Sequence, residues 1–542
     1  MKAICQTGSF EAFSMYNAIY VDKTELIYSL VSLPNRIFIS RPRRFGKSLT
    51  LDTIATLFET GVEPYFKGTW IYDKWTEPTY PVLRLNFLDL DKYSLEHFKQ
   101  KLNAIISSFA RDINVKNYEE KVEPEDTIYF LLDELRKEKR QIVILIDEYD
   151  CQMTANINNE TLYKQFQEKI KSFYANIKDK FAIKFLGITG VTRLKDVSIF
   201  SVGSDIRDIT YASAYSQMIG FTRDEIKKYY IDYLKLAASY ENNCTVDNVT
   251  EAQIESLLDR LAKNYDGYCF DEFYKKKVFS TWSVNKFFQS VVSNKFVYFG
   301  EYWYDNGGLP SILVNYLKTH ELNIFEYLDK DKFLKVSSDD FKNPTALTTI
   351  NQNVLMCQTG YLTLRSDLKK SSTVLLGIPN GEIYKALNRL LANNIFKGKA
   401  DVTDDQGKNL LEEGTVDDII NLFNSALNSV SYDNYPIVSE SSVQNMLKLY
   451  LLGAHQKVLS EVHEAKGRAD LIVNTDIRRI VFEFKYAQNE SEAKTKLSEA
   501  VEQIKSRDYG NILPKKHELL RIAAVFNADP KVRAFTENQI VP

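Results

Sequence analysis

The feature that most constrains the fold is the pairing of two short stretches. The first is "RIFISRPRRFGKSLTLDTIATLFETG", Arg36 to Gly61, an apolar strand that runs through a basic turn into a helical pattern. Leu49, Ile54, Leu57 and Phe58 fall near helical spacing, and Gly61 is placed to end the helix. The second is "QIVILIDEYD", Gln141 to Asp150, five apolar residues followed by two acids. A continuous apolar run of this kind suits a strand buried on both faces of a parallel sheet.

The turn carries the chemistry of a phosphate-binding loop. A helix N-terminus offers free N–H groups and the positive end of a dipole to an anion. Gly46 lets the backbone approach a phosphate, Lys47 can reach the terminal phosphates, and the Ser48 hydroxyl can hold magnesium. Arg43, Arg44 and Phe45 complete the loop, with the two arginines as further cationic contacts. One rule is broken, since Arg41 stands where such loops have their first glycine, at some expected loss of backbone freedom. The acids of the second stretch supply the complement. Asp147 can hold the magnesium shell and Glu148 can orient an attacking water.

A third apolar strand, within "AIKFLGITGVTRL", ends in Thr192 and Arg193, which a doubly wound sheet would set beside the other strand ends. A polar residue there could sense a terminal phosphate; a plain turn leaving the sheet is the other reading. Upstream, Asp22 and Glu25 in "YVDKTELI" read as a capping box. Asp22 and Lys23 could also border the nucleotide.

The signatures "YVDKTELI", "RPRRFGKSL", "VILIDEYD", "ITGVTRL", "GFTRDEIKKYY" and "NYDGYCF" occur in this order and resemble the bacterial AAA-ATPase-like family, over about residues 10 to 290. The resemblance implies ATP as ligand with Mg²⁺ as cofactor. It also implies that Arg41 is a variant of the loop and not its decay.

From Thr222 the pattern turns helical. Ile226, Tyr229, Tyr230 and Tyr233 share a face, and Thr222 with Glu225 makes a capping box. This suits a lid over the nucleotide. Further on, "NPTALTTINQNVLMCQTG" predicts a helix closed by Gly360, and "YLTLR" with "TVLLGIP" a hairpin. Helix then hairpin fits a winged helix or a spacer. The polar stretch 398–414 reads as a linker.

The last informative stretch is "SEVHEAKGRADLIVNTDIRRIVFEFKYA", Ser460 to Ala487. Two strands flank a turn centred near Asp476 and Ile477, which sets Asp470 across from Glu483. Glu483 and Lys485 are two apart and share a face. Two carboxylates and a lysine in an apolar hairpin are costly to bury without a purpose. Oxygen ligands of this kind suit Mg²⁺, or Mn²⁺. A structural ion pair on a solvated edge is the other reading.

Asp470 followed by Glu483-x-Lys485 resembles the PD-(D/E)XK nuclease superfamily, with Ala469 where a proline is usual. "AVEQIKSRDY" resembles the helix pattern found after those strands. The resemblance implies a further metal-ligating acid, for which Glu461 and Glu440 are candidates, and a DNA substrate. Arg468, Arg478, Arg479, Lys485, Lys494 and Lys496 could form a patch for its phosphates.

The expected architecture is therefore a multidomain α/β chain. A P-loop NTPase parallel sheet spans 1–221, a helical lid 222–293, a middle helical or winged-helix-like segment 294–397, and a restriction-endonuclease-like α/β domain 415–542. The length of 542 residues leaves room for these parts. Net charge is −3, so no global field marks a nucleic-acid binder. No apolar run approaches the ~18 residues of a membrane span, and the opening residues lack the apolar core of a signal peptide. Five scattered cysteines suit a reducing compartment, so a cytoplasmic location is expected. Partners beyond ATP and DNA, whether a second copy or another protein, are left open. Two functions follow from these residues. One is an ATPase whose nucleotide state gates a metal-dependent nuclease. The other is an ATP-dependent regulatory switch whose nuclease fold only docks a partner.

Overall fold

The computed structural model describes residues 1–33, 35–177, 181–194, 206–305, 311–317, 320, 326–344, 346–396, 404–433, 435–454, 456–464, 467–507, 509 and 518–542. The chain divides into two compact units, one of residues 1–322 with 333–383 and one of 323–332 with 384–542.

The first unit is built on strands β1 (Asn35–Ser40), β2 (Val82–Asn86), β3 (Ile142–Asp147), β4 (Ile183–Gly190) and β5 (Arg207–Asp208). They form one sheet in the order β2-β3-β4-β1-β5, parallel throughout. Ile142 to Ile146 and all of β4 are buried, which is why these strands read as unbroken apolar runs. The order matters for function. It places β4 between β1, which feeds the basic turn, and β3, which ends in the acids, so all three strand ends meet along one edge.

The Lys47–Thr60 helix leaves the basic turn, with Gly46 as its N-cap at φ 104° and Gly61 as its C-cap. The Thr222 and Glu225 capping box is formed. The helical run behind it is interrupted at Tyr230, giving Arg223–Tyr229 and Ile231–Asn242 where one continuous helix was expected. The reason is packing. Tyr230 turns inward to stack on Phe288 at 5.2 Å and donates its hydroxyl to Asn285 at 2.5 Å. With Glu251–Tyr265 and Thr281–Asn294 these helices enclose a core that includes Ile226, Leu234, Leu258, Leu261 and Phe287. Asp22 and Glu25 do not form the expected capping box. The helix starts at Thr24, and Asp22 accepts from the Thr24 N–H and hydroxyl and from the Trp70 N–H.

Strands β6 (Leu334–Ser337), β7 (Thr363–Leu364) and β8 (Thr373–Gly377) make an antiparallel sheet in the order β6-β8-β7. The hairpin β7–β8 is the one expected, and β6 adds an edge that the sequence did not signal. The helix before it is shorter than its pattern, Gln352–Gln358, and Gly360 follows at φ 93°. A side chain at Gly360 would press into Pro42 at 2.8 Å, so the glycine also makes room for the basic turn.

The second unit carries β9 (Lys457–Glu464), β10 (Gly467–Asn474), β11 (Arg478–Ala487), β12 (Glu518–Asn527) and β13 (Ala534–Ile540), in the order β13-β12-β11-β10-β9. Only β11 and β12 run parallel, and the crossover between them contains the Glu490–Arg507 helix. Its Ala500, Val501 and Ile504 pack on Ile472, Val481 and Ala523. Phe423 packs on Phe482 at 5.3 Å. The stretch read as a linker holds a helix, Asp404–Glu413, in which Leu411 is buried; 397–403 lie outside the described residues.

Candidate functional site

In the first unit a cavity of about 600 Å³ lies over the basic turn. Arg43 to Thr50 and Glu148 line its polar end. Its apolar walls include Phe13, Ile19, Val21 and Phe221. The volume suits a nucleotide-sized ligand. Sequence reasoning missed the wall formed by residues 5–21. Nothing in "CQTGSF" signals a ligand, and the segment gains its place only through the fold.

Arg41 does not line this cavity. Its side chain is buried, donates to the Ser40 and Thr210 carbonyls at 2.9 and 2.6 Å, and lies 4.1 Å from the Phe270 ring centroid. Burial lowers its pKa to about 10, so it stays charged at neutral pH. Positive φ falls elsewhere in the loop, at Arg44 (67°) and Gly46 (104°). Thus the position of the missing glycine is not the one where this loop needs glycine's freedom. Arg44 at φ 67° is held by bonds to the Tyr302 and Trp303 carbonyls and by the Trp282 ring at 4.7 Å.

The acids converge on the loop as expected. Ser48 Oγ donates to Asp147 Oδ2 at 2.6 Å, and the Thr189 hydroxyl at the end of β4 donates to Asp147 Oδ1. The Lys47 ammonium donates to the Arg41 and Pro42 carbonyls at 3.1 and 3.3 Å and lies 3.5 Å from Glu148. Glu148 sits at φ 52°, a conformation that a non-glycine residue adopts only when its surroundings hold it.

Two expected contacts lie apart from the cavity. Thr192 is buried and donates its N–H and hydroxyl to Asp150 Oδ2 at 2.7 and 2.6 Å. Arg193 pairs with Asp208 and donates to the Lys342 carbonyl. Asp150 was no more than a neighbour of the acids in the sequence, yet it ties the end of β3 to the end of β4. Lys23 lines the cavity but is committed to Glu225 at 2.6 Å.

In the second unit the β10–β11 ladder runs from Asn474↔Arg479 to Leu471↔Phe482. Continued one step, this register sets Asp470 across from Glu483. There the Asp470 carboxylate accepts the Phe484 N–H at 2.8 Å. Glu483 is fully buried, and Lys485 donates to its Oε1 at 2.8 Å. The other oxygen, Oε2, is buried without a partner. Burial, with the Asp470 charge behind it, pushes the Glu483 carboxyl up to about 7, against the pull of Lys485. Burial alone would lower the Lys485 pKa, but Glu483, Glu440 and Asp470 together raise it, so the ammonium stays protonated.

An orphaned buried oxygen and two acids that repel one another fit a divalent cation, which would satisfy both. Asp470 and Glu483 are the pair that would hold it. Glu440 lies 3.4 Å from the Lys485 ammonium, on the cation rather than within the acid pair. Glu461 occupies β9, and its side chain lies outside the described residues. Among the described residues no group of three or more His, Cys, Asp or Glu side chains could hold a metal. The helix pattern "AVEQIKSRDY" does bring its parts together. Gln503 and Arg507 donate to the Tyr509 hydroxyl at 3.5 and 2.9 Å. Most cations named for a phosphate patch are engaged within the fold, Arg478 with Glu518, Lys494 with Glu490 and Lys496 with Glu499.

Among the described residues no helix is long and apolar enough to cross a membrane. Residues 5–200 match the family described as "Predicted AAA-ATPase", and residues 438–535 match the PD-(D/E)XK nuclease superfamily. An uncharacterized protein in the vnfD 5′ region of Azotobacter chroococcum mcd 1 is 26% identical over 529 residues, covering 94% of this chain and 93% of that one. Two solved structures overlap more loosely. Cdc6p from Pyrobaculum aerophilum has a TM-score of 0.23 and 12% identity, covering 68% of this chain and 92% of that one. The Aeropyrum pernix ORC1 protein in complex with DNA has a TM-score of 0.27 and 10% identity, covering 71% and 98%. Superpositions this loose carry no weight for fold or function. The two family matches coincide with the two sites built above, and the chain joins an AAA-ATPase-like domain to a domain of the PD-(D/E)XK nuclease superfamily.

Proposed function

We propose that this protein binds and hydrolyses ATP, and that its nucleotide state gates a magnesium-dependent DNA nuclease carried in the same chain. The observation that supports the reading is that each site brings together the residues its chemistry calls for. Lys47, Ser48 and Glu148 line one cavity with Asp147 bonded to Ser48, and the hairpin brings two acids and a lysine to one point.

At the first site Lys47 would hold the terminal phosphates, with Ser48 and Asp147 holding Mg²⁺. The Lys47 ammonium lies 3.5 Å from Glu148. A terminal phosphate competes for that ammonium, which frees Glu148 to orient water. At the second site Asp470 and Glu483 would hold Mg²⁺ or Mn²⁺, which supplies a Lewis acid and a water of lowered pKa. Lys485, fixed on Glu483, sets a positive charge beside the acids where charge develops on the phosphate under attack. Glu483 with a pKa near 7 becomes a better ligand as it ionises.

Nicking of supercoiled plasmid tests the nuclease half. Wild-type protein with magnesium should convert it to open circle, and Asp470→Ala should not. No conversion by the wild type with either metal, with or without ATP, would leave the nuclease fold as a docking module.

A further inference from the structure

A second cavity, of about 160 Å³, opens in the second unit between the end of the sheet and the loop before the Glu440–Gly453 helix. Tyr432, Tyr435, Ile437, Phe526 and Arg533 form most of its wall. The Arg533 guanidinium lies 3.4 Å from the Tyr432 ring centroid, and Tyr432 remains 43% exposed. Arg533 reaches this position from φ 41°, anchored by its N–H to the Asp529 carbonyl at 3.0 Å. Among the described residues no carboxylate pairs with its charge. An exposed ring, a planar cation and an apolar floor meet in one small slot.

The slot sits at the same end of β11 as the acids. Lys485 and Tyr486 are consecutive, so their side chains leave opposite faces of the strand. Tyr486 stacks on Phe526 at 6.3 Å and lies 3.5 Å from the Ile437 carbonyl, to which it donates. Three residues beyond Ile437, Glu440 reaches Lys485. Three residues span at most about 10 Å, so the Ile437 wall of the slot lies within about that distance of Glu440. Tyr432, Tyr435 and Ile437 precede the 438–535 segment matched to the superfamily, and Phe526 and Arg533 lie within it.

We propose that this slot docks one unpaired nucleobase of the strand held at Asp470 and Glu483, stacked at the Tyr432–Arg533 pair. The proposal rests on the nuclease reading. Bases are held this way without sequence readout, because every base has an apolar face that an aromatic ring or a guanidinium plane can cover. The cation suits the neighbouring phosphate.

The test uses the full chain with calcium in place of magnesium, and a labelled thymidine 12-mer followed by fluorescence anisotropy. Tyr432→Ala and Arg533→Ala should each weaken single-strand binding about tenfold. Both should bind a blunt duplex as the wild type does, with an unchanged melting temperature. Abasic positions in the oligonucleotide should weaken wild-type binding and leave Tyr432→Ala unaffected. If the wild type binds the single strand and both variants bind it equally well, the slot is not a base site, and the nuclease reading stands. If the wild type binds neither single strand nor duplex, the nuclease reading falls and the proposal with it.

Discussion

Ser48 Oγ and Asp147 Oδ2 lie 2.6 Å apart, although 99 positions separate them in the chain. The bond joins the basic turn to the strand-end acid and sets the two proposed magnesium ligands side by side. Nucleotide binding should then depend on Lys47, whose ammonium now rests on the loop's own carbonyls. Lys47→Ala should weaken ATP by about a hundredfold, as expected for loss of a charge-assisted contact in a dry site. Calorimetry measures the affinity, and circular dichroism should show the fold retained. Unchanged affinity would remove the loop from the account.

Glu148→Gln keeps the side-chain volume and removes the carboxylate. ATP should still bind, and hydrolysis should fall by about 10² or more. A phosphate-release assay at saturating ATP reads this. Wild-type turnover in the variant would shift the role to another acid, such as Asp150.

Asp470→Ala removes both an acid of the pair and the acceptor of the Phe484 N–H. Cleavage and manganese binding should be lost, and ATP hydrolysis should continue. Lys485→Ala should instead spare manganese binding and slow cleavage. Manganese titration followed by electron paramagnetic resonance separates the two. If both variants only lower the melting temperature and bind manganese normally, the cluster is structural.

The first unit carries its own pH dependence. Glu382 is buried, accepts from Ser283 Oγ and the Trp303 N–H at 2.7 and 2.8 Å, and is pushed up to about 8 chiefly by burial. Because the folded pKa is the higher one, the folded state holds a proton that the unfolded chain gives up above about 4.5. Stability should fall as pH rises from about 4.5 to about 8 and then level off. Each pKa unit is worth about 1.4 kcal/mol, so the loss amounts to a few kcal/mol. Glu382→Gln should flatten that slope in thermal melts across the range. An unchanged slope would mean that Glu382 is ionised in the folded protein.

Local pattern carried the reading furthest where one stretch decides its own structure. The apolar run before Asp147 could only be a buried strand. The turn at Asp476 and Ile477 fixed the register that brings Asp470 to Glu483. Parts that depend on distant neighbours were not legible. Tyr230 breaks its helix because Phe288 and Asn285 wait for it across the core. Arg44 and Arg193 have the charge for phosphate, but Tyr302 and Trp303 claim the first, and Asp208 the second. Glu382 gave no signal, since burial of a lone acid follows only from tertiary packing.

Control of cleavage by the nucleotide state is open to a single rate comparison. Plasmid nicking in magnesium is followed with no nucleotide, with ATP and with a non-hydrolysable ATP analogue, for wild type and Lys47→Ala. The wild-type rate should change about tenfold or more between nucleotide states, and Lys47→Ala should nick at one rate in all three. Equal wild-type rates under all three conditions, from protein shown to bind ATP, would contradict that control.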